Sequence, residues 1–96
     1  MIQCEIVIKI EFKNENTKEK NWKVFYKFMD LVCKPTQNDI LGIGKNEFFV
    51  SNVKLIENYL FPVVNLYPQH CGDEKSFSQK IEFFKNNKFY IRSENT

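Results

Sequence analysis

Ninety-six residues, 43% hydrophobic and 16% aromatic, are enough for one packed core and too few for two; this sets the expectation of a single domain over residues 1–96 and excludes intrinsic disorder as the default state. Fourteen Lys and Arg against twelve Asp and Glu leave a formal charge of +2, too small a field to argue for a polyanionic partner. No apolar run approaches the roughly 20 residues a membrane-crossing helix needs, so no membrane association is expected.

The first strand is expected at Ile2 to Phe12. Ile2, Cys4, Ile6, Ile8, Ile10 and Phe12 alternate with Gln3, Glu5, Val7, Lys9 and Glu11, the period of a strand with one buried face. A one-residue slip would turn that whole row into water, so the register is strongly specified. The charges at Glu5, Lys9 and Glu11 also interrupt any leader-like apolar run, and no signal peptide is expected.

A polar connection then reaches Asn16 and Thr17, both good caps. Trp22, Phe25, Tyr26, Met29, Val32 and Cys33 fall on one helical face, which predicts a helix ended near Cys33 by Pro35. Its solvent side would carry Lys20, Lys23 and Lys27, the candidate nucleic-acid contacts of an alternative reading. Ile40 to Val50, divided by Gly44-Lys45-Asn46, reads as a β-hairpin. A second helix is expected from Ser51 or Asn52, with Val53, Ile56, Tyr59 and Leu60 as its stripe and Pro62 as its end. Val63 to Leu66 fits either a turn or an extended piece, and Pro68 to Lys75 reads as a loop.

The last segment fits two templates. Ser76 to Gln79 matches a capping box for a short helix on Phe77, Ile81 and Phe84. The favoured alternative is a hairpin turning at Lys85-Asn86-Asn87, because it pairs Phe83 with Phe89 and Ile81 with Ile91 on one face. Ser93 to Thr96 would be a frayed end. The order is then β-α-β-β-α-β-β: an α+β fold, an antiparallel sheet with two helices on one face in the ferredoxin-like, split βαβ arrangement.

No set of residues rises to a named chemistry. His70-Cys71-Gly72-Asp73-Glu74 gathers the one imidazole, a thiol and two carboxylates, but residues adjacent in sequence usually point apart, and an ordinary loop is the plainer reading. Gly42-Ile43-Gly44-Lys45 has the wrong spacing for a phosphate loop. Lys45 to Asn52 has Glu47 and Asn52 where an RNA-recognition strand needs rings. Arg92 is the only Arg, and bidentate phosphate readers favour Arg. Cys4, Cys33 and Cys71 lack any C-x-x-C spacing and read as reduced thiols of a cytoplasmic protein. No metal, cofactor or catalytic residue is expected.

The adjacent rings Phe48-Phe49 and Phe83-Phe84 are more informative, since in a strand one of each pair must face away from the helices. With Val7 and Tyr90 they suggest an exposed patch of Val7, Phe48, Phe49, Phe84 and Tyr90. The expectation is a non-enzymatic protein-binding module, an inhibitor occluding a partner in the manner of immunity proteins or phage-encoded blockers of host defence, or a homodimer through the same patch.

Overall fold

The computed structural model describes residues 1–95 and is mostly β, with one helix among them. The elements are β1 (Ile2–Lys13), β2 (Lys20–Leu31), β3 (Ile40–Ile43), β4 (Asn46–Lys54), β5 (Val63–Leu66), β6 (Gln69–Cys71), α1 (Glu74–Asn86) and β7 (Tyr90–Glu94). The strands form a seven-stranded mixed sheet in the order β3-β4-β5-β1-β2-β7, with β6 beside β1. The two-helix, ferredoxin-like α+β arrangement is therefore overturned. The chain divides into two compact units, Met1–Val7 with Lys27–Tyr67, and Ile8–Tyr26 with Pro68 onward.

In the first unit, β1 lies parallel to β5, with Glu5 opposite Val63 and Val7 opposite Asn65. Strand β4 pairs antiparallel with β5 and β3, and its ladder to β5 skips a residue between Val50 and Asn52, a bulge at Ser51. The hairpin expected at Ile40 to Val50 is present. Its two-residue turn is Gly44-Lys45, and Gly44 has φ 59°, a conformation glycine adopts without a Cβ clash. The core contains Cys4, Ile6, Ile43, Phe48, Val50, Val64 and Leu66. Where a second helix was expected, β4 continues to Lys54 and an irregular connection follows, so the stripe Val53, Ile56, Tyr59 and Leu60 is not a helix face.

In the second unit, β1 pairs in parallel with β6, with Ile10 opposite Gln69 and Phe12 opposite Cys71. The loop expected at Pro68 to Lys75 thus contains a short strand. Strand β7 is antiparallel to β2, and the register jump from Ser93 to Ile91 is a bulge at Arg92. Helix α1 replaces the terminal hairpin. Asp73 caps it by accepting the Ser76 backbone N–H at 2.7 Å, and the Phe89 N–H closes its far end on the Phe84 carbonyl at 2.9 Å. Its apolar side seats Phe77 against Phe12 with centroids 6.0 Å apart, and Phe84 against Phe25 at 5.6 Å.

The segment expected as the first helix is β2. Trp22, Val24, Tyr26 and Phe28 alternate with Lys23, Phe25, Lys27 and Met29, and β-branched and aromatic side chains favour a strand over a helix that would lack any Ala. Strand alternation puts Lys20 on one face and Lys23 and Lys27 on the other, so the three do not form a stripe. The frayed-end expectation fails at Ser93 and Glu94, which lie in β7, and at Asn95, whose side-chain oxygen accepts the Trp22 N–H at 2.7 Å; its last residue, Thr96, lies outside the described residues.

Candidate functional site

The connection between β4 and β5, residues 55–62, is the most unusual surface of the first unit. Leu55, Ile56 and Leu60 are 70%, 51% and 89% exposed, although the run is ordered by its own bonds. The Tyr59 N–H donates to the Ile56 carbonyl at 3.0 Å, and Asn58 between them takes φ 65°, a left-handed turn residue that Asn tolerates. Pro62 passes the chain into β5, and its carbonyl accepts the Glu5 N–H at 2.9 Å.

What holds the loop is a buried acid. Glu5 belongs to the row of β1 opposite Cys4 and Ile6, yet it is only 2% exposed, and its carboxylate accepts a hydrogen bond from the Tyr59 hydroxyl. Withdrawing a carboxylate from water is costly unless donors replace the lost solvent, so this bond ties the loop to the strand. The Tyr59 ring meets Phe61 edge-on at 5.8 Å, and Phe61 meets Phe28 edge-on at 5.2 Å. The loop is therefore tied down through Tyr59, itself 39% exposed, and half-buried Phe61, while Leu55, Ile56 and Leu60 face out.

Elsewhere in the first unit, Phe49 is 54% exposed and lies directly across from exposed Ile40 in the β3–β4 ladder, on one face. Val7, on the same row of β1 as Glu5, is half-buried. Phe48 is in the core and cannot offer its ring to a partner. In the second unit Phe84 is likewise fully buried, packed by Phe25, Phe83 and Phe89, because its segment is a helix with Phe84 on the inner side. Tyr90 is 65% exposed and tilts against Tyr26 at 5.9 Å, with the Arg92 guanidinium 4.6 Å from the centre of the Tyr26 ring. Of the proposed lysines, Lys23 pairs with Glu94, whereas Lys20 lines a cavity.

That cavity, of about 300 Å³, is bounded by Glu11, Phe12, Lys13, Lys20, His70 and Cys71. His70 Nδ1 donates to Glu11 Oε1 at 2.6 Å, and Lys9 Nζ stands 3.7 Å from the other oxygen. Burial raises the Cys71 thiol above its ordinary pKa, with Lys80 opposing and Asp73 reinforcing the shift, and burial raises Cys4 as well. Both shifts run away from the thiolate, the form that attacks or binds metals. Among the described residues no group of three or more His, Cys, Asp or Glu side chains is placed to hold a metal ion. No helix among them is long and apolar enough to cross a membrane.

Protein-family models, curated proteins and solved structures contain no match for this chain.

The anchored loop was missed because Val53, Ile56, Tyr59 and Leu60 also fit helical spacing. Glu5 gave no signal either, because it falls in the polar row with Gln3, Lys9 and Glu11, where a charge ordinarily faces water.

Proposed function

We propose that this chain is a cytoplasmic, non-enzymatic protein-binding module that acts by occluding a partner, in the manner of immunity proteins or phage-encoded blockers of host defence. The observation that carries the reading is the β4–β5 loop, which keeps Leu55, Ile56 and Leu60 in solvent on a turn fastened to buried Glu5 through Tyr59. Exposed apolar side chains on an ordered support suit an interface core, because the loop need not lose much further freedom on docking. Phe49 and Ile40 supply a second exposed apolar pair on the same unit. The three free thiols agree with a reducing compartment.

The test is parallel affinity purification from the native host with wild type and with Leu55→Asp/Leu60→Asp. Both substitutions fall on exposed positions, so the variant should keep the wild-type circular dichroism and melting curve. A single protein should be retained by wild type at high salt and lost by the variant. Equal retention by both proteins would reject the loop, and capture of nucleic acid that fades steeply with salt would reject the protein-binding reading.

A further inference from the structure

We propose that the cavity bounded by β1, β6 and the start of β2 binds a phosphate monoester, with Lys13 and Lys20 as its cationic arms and Phe12 as its apolar lining. The Glu11 carboxylate accepts from His70 on one oxygen and faces Lys9 on the other. Asp73, two residues beyond Cys71, is spent on the cap of α1, where the Ser76 N–H holds its carboxyl below the usual carboxylate range. Lys13 and Lys20 both line the cavity, and among the described residues neither ammonium has a hydrogen-bond or ion-pair partner. Glu11 faces Lys9, Asp73 keeps its charge on the helix cap, and neither Lys13 nor Lys20 is ion-paired, so these groups together leave a local surplus of one positive charge.

The rest of the lining fits an anion attached to a compact apolar body. Phe12 is among the lining residues and is held in place by its packing against Phe77. The Cys71 thiol stays neutral and adds no repulsion. His70 lines the opening with its side chain 73% exposed and is held by its bond from Nδ1 to Glu11. Two separate ammoniums act as point charges and match a phosphate dianion better than a single carboxylate, which favours an Arg fork. A volume of about 300 Å³ accommodates the phosphate together with a ring-sized group.

The experiment is an NMR titration of the ¹⁵N-labelled protein at constant ionic strength, using inorganic phosphate and, separately, adenosine 5′-monophosphate. Saturable shifts should be confined to Glu11–Lys13, Lys20 and His70–Cys71. Lys13→Ala and Lys20→Ala should each weaken binding by about tenfold, the loss of one charge-assisted bond, while Lys75→Ala on α1 leaves it unchanged. Tighter binding of the nucleotide than of phosphate supports a monoester with its organic group in the cavity; equal binding would show that only the phosphate is held and would overturn the monoester. Shifts that never saturate, or an equal loss from Lys75→Ala, would show only diffuse attraction to surface lysines and overturn the site.

Discussion

Replacing Tyr59 by Phe deletes one oxygen and leaves the ring contact with Phe61 in place, so it isolates the bond between the loop and Glu5. A hydrogen bond to a charged group contributes about 1.5–3 kcal/mol, and the loss is greatest when the abandoned partner is buried. Glu5 is buried while Tyr59 is partly wet, and solvent beside the tyrosine holds the expected cost near the lower end, about 2 kcal/mol. With a urea m-value of about 1–2 kcal/mol/M for a chain of this size, the midpoint should fall by roughly 1–2 M. Glu5→Leu alone should cost less than Tyr59→Phe, because it removes the buried charge and leaves a hydroxyl that reaches water. Combining the two should recover much of the loss, since an apolar pair can replace a buried polar one at little cost. The assay is equilibrium urea unfolding of all four proteins at neutral pH, analysed as a double-mutant cycle. A coupling energy within about 0.5 kcal/mol of zero would refute the claim that this bond fastens the loop.

Phe84→Ala should destabilise the chain by about 3–5 kcal/mol by opening a cavity among Phe25, Phe83 and Phe89, whereas Phe49→Ala, at an exposed position, should stay within about 1 kcal/mol of wild type; thermal melts separate the two. Iodoacetamide at neutral pH should modify exposed Cys33 first and Cys71 more slowly, and reach Cys4 only on denaturation, because burial raises the latter two thiols; peptide mass spectrometry reads the order. The Asp73 carboxyl is held down by its bonds to Ser76, so its folded pKa lies below the unfolded value; the stability it adds is present above about pH 4 and is lost as pH falls through the folded pKa. Asp73→Asn keeps a capping oxygen and should flatten that acid limb of the melting temperature without abolishing the helix.

The strand β1 was legible because its alternation holds over eleven residues and only one register buries Cys4, Ile6, Ile8, Ile10 and Phe12 together. The β3–β4 hairpin was legible through Gly44, since few other residues suit its turn. The segment that became β2 was not, because seven apolar or aromatic residues among Trp22 to Leu31 satisfy both a 3.6 and a 2.0 period, and density erases the contrast between them. The absence of Ala and the row Trp22, Val24, Tyr26 and Phe28 are the features of this segment that favour a strand. At the C-terminal end, apparent pairing of Phe83 with Phe89 outweighed a helix whose real cap, Asp73, lies three residues before the Ser76 considered. Glu5 and Tyr59 are 54 residues apart, and no local period connects them.

The bond between Glu5 and Tyr59 is a poor choice if stability alone is considered, since leucine and phenylalanine would fill the same space without a carboxylate to desolvate. What the polar pair adds is direction. The phenol must point its hydroxyl at one strand position, and that fixes which side of residues 55–60 faces out. An apolar anchor tolerates slippage, and a slipped loop would turn Leu55 and Leu60 back onto the unit they leave. Held outward, they cannot shield one another from water by local collapse, and their hydration remains available to drive association. If the chain acts as the proposed protein-binding module, a loop secured in this way loses little conformational entropy on docking, and Tyr59→Phe weakens partner binding even though the hydroxyl it removes bonds to Glu5.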